Sequence, residues 1–345
     1  MRGFARASRA SVQDPHIPEK VRVNRRRKAL LAVKIAVTLA LLAYIVQRLH
    51  WADVGRILSG VRLGLYLPAI MVQGVSYALV TLRWRVLLAG QGLALRYRSA
   101  LSIDLVAAFL NSFLPGSTGG DAARVYYASR LFTGEVTRLV GTALFDRLLG
   151  LLVLLSLGYT AFLLRPAIAE GNPSLLRLLT VLPPVLACGA TAAALLLFLP
   201  RGKLPGALRR LIERAADAPI AGRLLLFARR LRHHPRYPLI GIACSLLAQF
   251  AGFLAAHLSA RALGLRLDYF EIALILAIVQ TAVSLPISIG GYGVREVVLI
   301  ALFSAIGVAR GHPEVAVAFS LLLVMAQLSW SLVGGVWFLV RPSIP

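Results

Sequence analysis

Two short strings, one in each half of the chain, combine residues that interrupt a helix with an arginine at a fixed distance. Residues 114–124 read LPGSTGGDAAR and residues 285–295 read LPISIGGYGVR, so both fit Leu-Pro-x-Ser-x-Gly-Gly-x-x-x-Arg without a gap. Proline and paired glycines break helices. A helix that restarts after the glycines exposes backbone N–H groups and the positive end of its dipole, which together bind phosphate or carboxylate groups.

The side chains of the two strings extend this anion-binding chemistry. Each arginine lies about one turn into its expected half-helix, and a guanidinium matches phosphate oxygens with two parallel hydrogen bonds. The serines add hydroxyl groups within the breaks, and the glycines let a ligand approach the backbone. The sequence therefore predicts a site for an anionic head group, formed by Ser117, Gly119, Gly120, Asp121, Arg124, Ser288, Gly290, Gly291, Arg295 and Glu296. Alternatively, the breaks only form tight corners between packed helices.

The two strings differ after the paired glycines. Asp121 follows the first pair and can cap a helix, whereas Tyr292 follows the second pair. Glu296 comes directly after Arg295. Because adjacent helical residues point about 100° apart, we expect these two side chains to have different roles. Glu296 is a candidate partner for a basic residue elsewhere or a candidate proton carrier.

The composition places both strings in a membrane protein. Of the 345 residues, 58% are hydrophobic, compared with roughly 45–50% in soluble domains. The mean hydropathy is +0.76. A bilayer span needs about 20 apolar residues. We predict spans near residues 29–49, 65–88, 139–164, 175–199, 238–260 and 314–340. Two shorter apolar stretches, 99–113 and 271–285, lead into the strings, where a broken helix must line protein or a watery cavity.

Further charged residues lie within the predicted apolar segments. Asp146 and Arg147 lie about two turns into the third span, and Asp104 lies in the first half-helix. A charge in lipid costs several kcal/mol, so such residues tend to be paired and functional. We predict that Asp146 and Arg147 support the site, with a purely structural ion pair as the alternative. Asp104 is expected near the membrane interface.

Basic residues predict the orientation of the chain. The net charge is +24, and the bases concentrate in the N-terminal arm and in loop 201–236. Beside membrane spans, this pattern indicates cytoplasmic segments rather than a nucleic-acid partner. We predict a basic cytoplasmic arm at 1–28 and a single transmembrane domain at 29–340, with halves of about 29–200 and 237–340 joined by that loop. Both termini are expected on the cytoplasmic side.

Counting crossings from the cytoplasmic arm predicts an inverted repeat. Segment 99–135 has to begin and end on the cytoplasmic side, and segment 271–309 has to begin and end on the outer side. The predicted fold class is an all-α membrane protein, a polytopic helical bundle with two oppositely inserted re-entrant or broken helices. Such repeats supply the two exchangeable conformations of alternating access. Alternatively, each half-helix crosses the membrane fully. Two extra crossings return the chain to the same side, so the predicted orientation of the other spans is unchanged.

The sequence offers no other class of site. Cys188 and Cys244 lie within predicted spans and form neither a disulfide framework nor a cysteine metal site. The chain contains no Walker A string, no His-Glu-x-x-His pattern and no nucleophile elbow. We therefore expect a protein without catalytic residues, a metal or a cofactor.

The chain resembles the lysylphosphatidylglycerol synthase transmembrane region family of flippase-like membrane proteins. The residues that carry the resemblance are the runs 111–124 and 284–296, the Asp146-Arg147 pair and Arg83-Trp84-Arg85, and it covers essentially residues 29–340. In its best-known relatives this region moves a modified phospholipid between leaflets and precedes a soluble aminoacyl transferase; other relatives are tied to polyprenyl-linked sugars. The chain ends at Pro345, so we expect no synthase domain. By resemblance, the motif positions fall on Asp121, Arg124, Arg295 and Glu296.

The leading hypothesis is translocation of an anionic phospholipid or polyprenyl-linked lipid across the inner, cytoplasmic membrane. One alternative is a non-transporting partner or regulator of a lipid-modifying enzyme. The other is a membrane-embedded enzyme that acts on a lipid head group, for which Glu296, Asp121 and Asp146 are the candidate acid–base groups. The expected partners are membrane lipids with an anionic head group and, on the first alternative, a lipid-modifying enzyme.

Overall fold

A computed structural model describes residues 35–41, 43–47, 49–113, 119–166, 234–285, 288, 290–308 and 312–340, with isolated helical positions at 173, 177, 180 and 181. The basic arm, the turn of the first break, most of the predicted span 175–199 and most of the basic loop lie outside these residues. The described part is α-helical and contains no strand, which confirms the predicted all-α class.

Ten helices make up the continuous described segments. In chain order they are α1 (Ile35–Gln47), α2 (Trp51–Ser59), α3 (Leu63–Gly90), α4 (Tyr97–Phe113), α5 (Gly119–Leu131), α6 (Val136–Leu164), α7 (Arg236–Ala262), α8 (Tyr269–Ser284), α9 (Val294–Ala305) and α10 (Pro313–Val340).

Four helices in the described part are long and apolar enough to cross a membrane. These helices, α3, α6, α7 and α10, contain 28, 29, 27 and 28 residues and coincide with the predicted spans 65–88, 139–164, 238–260 and 314–340. Each exceeds the length of about 20 residues that a bilayer requires. The predicted first span is represented by α1, which is followed after a sharp bend by the short amphipathic helix α2. The protein is therefore a multi-pass membrane protein.

The distribution of polarity agrees with a lipid environment. Large apolar side chains project from the outer faces of the long helices, among them Leu63, Met71, Leu239 and Leu339. Six charged side chains of the described part are buried among the helices instead, namely Arg83, Asp104, Asp146, Arg295, Glu296 and Glu314. A soluble protein has the opposite arrangement, because water solvates charges at its surface.

Short helices flank both predicted breaks. α4 and α5 lie on either side of the first break and contain 17 and 13 residues, and α8 and α9 flank the second break with 16 and 12 residues. These helices are shorter than a bilayer span. The proline and glycine residues thus divide each apolar segment into two half-helices, as the sequence predicts.

Helix contacts occur in matched pairs when the two halves of the chain are exchanged. α3 packs along α7, while α4 packs against α10 and its counterpart α8 packs against α6. Both half-helices meet a glycine: a Cβ atom on Gly334 would lie 2.1 Å from the Leu105 carbonyl oxygen, and one on Gly158 would lie 2.3 Å from Ala277 Cβ. Each half therefore holds the leading half-helix of the other half. This pairing agrees with a duplicated arrangement, and opposite insertion of the halves stays a prediction.

Candidate functional site

A cavity of about 330 Å³ lies between α5 and α9, the helices that follow the two breaks. It is lined by the first turns of α5 and α9 and by inward faces of α3, α4, α6, α8 and α10. Its polar lining residues are Gln73, Ser76, Tyr77, Asp104, Asn111, Ser112, Asp121, Arg124, Arg147, Gln280, Tyr292, Arg295 and Gln327. The fold therefore brings described residues of both strings to the same space, although the strings lie in different halves of the chain.

The predicted binding residues take different positions around this cavity. Five of them line it: Gly120, Asp121, Arg124, Gly290 and Arg295. Gly119 is the first residue of α5, and Ser117 lies outside the described residues. Ser288, Gly291 and Glu296 are buried next to the second break but are absent from the lining.

Arg124 is surrounded by carboxylates of its own half. Its Nε lies 2.6 Å from Asp104 Oδ1, and its Nη1 lies 3.5 Å from Asp146 Oδ2 and 3.9 Å from Asp121 Oδ1. The guanidinium also lies 5.6 Å from the centre of the buried Trp84 ring, a favourable cation–π distance. Asp104 is only 3% exposed, so it is an interior partner of Arg124 and not the interfacial residue that the sequence suggests. The charge of Arg124 is thus already compensated within the protein.

Asp146 and Arg147 do not pair with each other. Asp146 accepts two hydrogen bonds from Arg83, at 2.6 and 2.9 Å, and Arg147 forms an ion pair with Asp121. Because adjacent residues on a helix point in different directions, each reaches a different helix. Arg83 is itself buried and also donates to Ser245 Oγ at 3.1 Å. The two ion pairs link α3, α5 and α6 beside the cavity, and the hydrogen bond to Ser245 adds α7.

Arg295 is in the opposite situation to Arg124. It is 7% exposed and lines the cavity, yet its guanidinium forms no ion pair and no hydrogen bond within the described part of the chain. An uncompensated buried charge is unfavourable by several kcal/mol. The site therefore contains a buried cation that a bound anion would compensate.

Glu296 stabilises the second break. Its Oε2 accepts a hydrogen bond from the Gly293 backbone N–H at 2.7 Å, and its Oε1 accepts one from Ser320 Oγ. The carboxylate thus occupies the N-terminus of α9 and joins it to α10, while Arg295 turns toward the cavity. In this half the arginine side chain, and not the helix end, is the group available to an anion.

The glycines of the motif are required by backbone conformation and by close packing. Gly290 and Gly291 have positive φ angles of 59° and 78°, which residues other than glycine rarely adopt. A Cβ atom on Gly120 would lie 2.8 Å from the Ala107 carbonyl oxygen, so this glycine allows α5 to approach α4. Close packing therefore accounts for Gly120 and backbone conformation for Gly290 and Gly291, and the alternative of breaks that serve packing alone stays open.

The neutral polar residues of the cavity are not among the residues that the sequence motifs predict. Gln73, Gln280 and Gln327 line it from three different helices, together with Tyr77 and Asn111. One feature of the sequence could have identified the glutamines, because each is an isolated polar residue in a strongly apolar segment. Polar side chains in membrane helices tend to form hydrogen bonds to other helices or to ligands. Among the described residues, no group of three or more His, Cys, Asp or Glu side chains is arranged to hold a metal ion.

Membrane-spanning helices that enclose a charged cavity at two helix breaks define a class of polytopic membrane protein with a polar intramembrane site. More particularly, the chain belongs to the lysylphosphatidylglycerol synthase TM region family, whose model matches residues 31–334. It is also similar to the UPF0104 membrane protein PH1989 of Pyrococcus horikoshii, with 24% identity over 331 residues that cover 90% of this chain and 96% of the relative. No solved structure matches the chain. The resemblance found in the motifs is thus confirmed at the level of the family.

Proposed function

We propose that this protein translocates an anionic phospholipid or polyprenyl-linked lipid across the cytoplasmic membrane and that Arg295 binds the phosphate. The observation that carries the proposal is the buried Arg295 guanidinium, which has no partner among the described residues and faces a cavity lined by residues of both motif strings. A phosphate group compensates this charge with two hydrogen bonds, as a carboxylate does for Arg124.

The helix arrangement supports movement of the bound lipid. The contacts of α4 with α10 and of α8 with α6 are exchanged between the halves, so each half can rock against the other around one central site. The basic arm and basic loop favour cytoplasmic termini and an inner-membrane location by the positive-inside rule.

A head-group enzyme is disfavoured by the state of the carboxylates. General acid–base catalysis needs a carboxyl group that can reach a substrate proton. Asp104, Asp121 and Asp146 each contact an arginine, and Glu296 caps α9. Each candidate acid–base group is thus already bound in an ion pair or a helix cap within the protein.

Leaflet exchange in reconstituted vesicles tests this function. The wild type should accelerate exchange of fluorescent phosphatidylglycerol, measured by loss of fluorescence when a membrane-impermeant reductant is added outside. Arg295→Gln should reduce the rate at least tenfold, because a hydrogen bond to a charged group contributes about 1.5–3 kcal/mol. Arg56→Gln removes an arginine that is 79% exposed on α2 and should leave the rate unchanged. Wild-type exchange rates in folded Arg295→Gln would refute the role of Arg295.

The same assay separates the alternatives. A wild-type protein that leaves the lipid in its original leaflet and unmodified would indicate a regulator. Chemical turnover of the lipid, detected by mass spectrometry of the extracted vesicles, would indicate an enzyme.

A further inference from the structure

We propose that a second, smaller cavity behind Arg295 binds the neutral, hydroxyl-bearing part of a phosphodiester head group, such as glycerol. This inference rests on the proposed function, because it takes the lipid phosphate to lie at Arg295. It adds a specificity subsite made of glutamine side chains.

The smaller cavity has a volume of about 90 Å³ and continues the larger one. Gln73, Gln280, Gln327 and Arg295 line both spaces, and Gln249 lines only the smaller one. These glutamines come from α3, α7, α8 and α10, so four separate helices direct an amide toward one small volume. At roughly 30 Å³ for a water molecule, the space holds about three water-sized groups, which suits a short polyol.

The amides have hydrogen-bonding capacity to offer a ligand. The side chains of Gln73, Gln280 and Gln327 form no hydrogen bond within the described part of the chain, while Gln249 donates a long bond of 3.5 Å to the Gly150 carbonyl oxygen. A glutamine amide both donates and accepts, and so does a hydroxyl group. Partially buried amides without partners are costly in an apolar interior, so the cavity favours a ligand that satisfies both functions.

The charge of the subsite selects against a cationic head group. Among the described residues that line the smaller cavity there is no carboxylate, and Arg295 is its charged member. A primary ammonium group placed beside the lipid phosphate would approach this guanidinium and would lack an acidic partner. A hydroxyl group meets no such repulsion, so the geometry favours a monoanionic lipid with a neutral polyol over a zwitterionic lipid.

Competition between two matched lipids tests the subsite. Phosphatidylglycerol and phosphatidylmethanol with identical acyl chains are both phosphodiester monoanions, and only the first carries free hydroxyl groups. Native mass spectrometry of the purified full chain should show that the wild type prefers phosphatidylglycerol. Gln280→Leu and Gln327→Leu should each reduce this preference about three- to tenfold without weakening phosphatidylmethanol, as expected for the loss of one hydrogen bond.

Two further variants make the result specific. Gln47→Leu makes the same change at an exposed position on α1 and should keep the wild-type preference. Gln327→Met retains the side-chain length and replaces the leucine variant if that protein does not fold. Phosphatidylethanolamine should bind more weakly than phosphatidylglycerol, and tighter binding of this zwitterion would overturn the proposal.

The outcomes separate this proposal from the function on which it rests. If Arg295→Gln weakens both monoanionic lipids while the glutamine variants keep the wild-type preference, the subsite is refuted and the phosphate site stands. If Arg295→Gln leaves the binding of both lipids unchanged, the phosphate site is refuted, and the subsite built on it is refuted as well.

Discussion

Glutamine in place of Arg124 or Arg295 should have different effects on thermal stability, although the two arginines occupy equivalent motif positions. Arg124→Gln removes the guanidinium that lies 2.6 Å from Asp104 and leaves a carboxylate that is 3% exposed without its cation. Removing one partner of a buried ion pair costs about 3–5 kcal/mol. At about 2 °C per kcal/mol for large chains, the melting temperature should fall by roughly 6–10 °C.

Arg295→Gln should not produce this loss. The variant replaces a buried, unpaired charge by a neutral amide, so it removes a desolvation cost and breaks no ion pair among the described residues. We expect an unchanged or higher melting temperature in delipidated protein. Delipidation matters because a bound anionic lipid would stabilise the wild type selectively.

The measurement is thermal unfolding of the purified variants in detergent, followed by tryptophan fluorescence. The double variant Asp104→Asn/Arg124→Gln serves as the control, because it removes both charges of the 2.6 Å pair and should recover much of the lost stability. A melting temperature that falls as far for Arg295→Gln as for Arg124→Gln would refute the distinction. So would a wild-type melting temperature for Arg124→Gln.

Two further predictions concern packing and topology. Gly334→Ala should lower the free energy of unfolding by about 1–3 kcal/mol, because its Cβ would lie 2.1 Å from the Leu105 carbonyl oxygen. Gly55→Ala is the control, since no atom lies within 4 Å of the added Cβ, and it should have little effect in the same unfolding assay. In a cysteine-free background, cysteines at the exposed positions Arg98 and Arg266 should react with an impermeant thiol reagent from the cytoplasmic and the outer side, respectively. Labelling of both positions from one side would exclude opposite insertion of the two halves.

The long helices and the half-helices could be predicted closely because one physical property determines each. Hydrophobic length identifies a span such as 139–164, which the structure shows as Val136–Leu164. Proline and glycine identify the breaks, so the stretch 271–285 ends as predicted and appears as Tyr269–Ser284. These properties are local in sequence and need no knowledge of how the helices pack.

The pairing of charges could not be predicted, because it depends on which helices are neighbours. Asp146 and Arg147 are adjacent in sequence, yet they contact Arg83 and Asp121 on other helices. Arg83 lies near the end of the predicted span 65–88, where a basic residue is expected at the membrane interface, but α3 continues to Gly90 and Arg83 is buried in the interior. Charge also does not identify the cavity glutamines Gln73, Gln280 and Gln327 as site residues, because their side chains are neutral.

The difference between the two halves indicates what the cavity requires of its ligand. In the first half, carboxylates on α4, α5 and α6 surround Arg124, so that half needs no external anion. In the second half, Glu296 is turned to the start of α9, and Arg295 faces the cavity without forming an ion pair with any described carboxylate. The lipid phosphate would therefore take the place that Asp104 has in the first half.

Release of that phosphate leaves a buried cation behind, which costs several kcal/mol unless water reaches the cavity. A closed cavity would thus bind the lipid and retain it. Turnover requires a conformation in which solvent enters from the side where the lipid leaves, and the exchanged contacts of α4 with α10 and of α8 with α6 are the interfaces at which such an opening can occur. Under the proposed function, the lack of a partner for Arg295 among the described residues would couple lipid release to opening of the helix bundle.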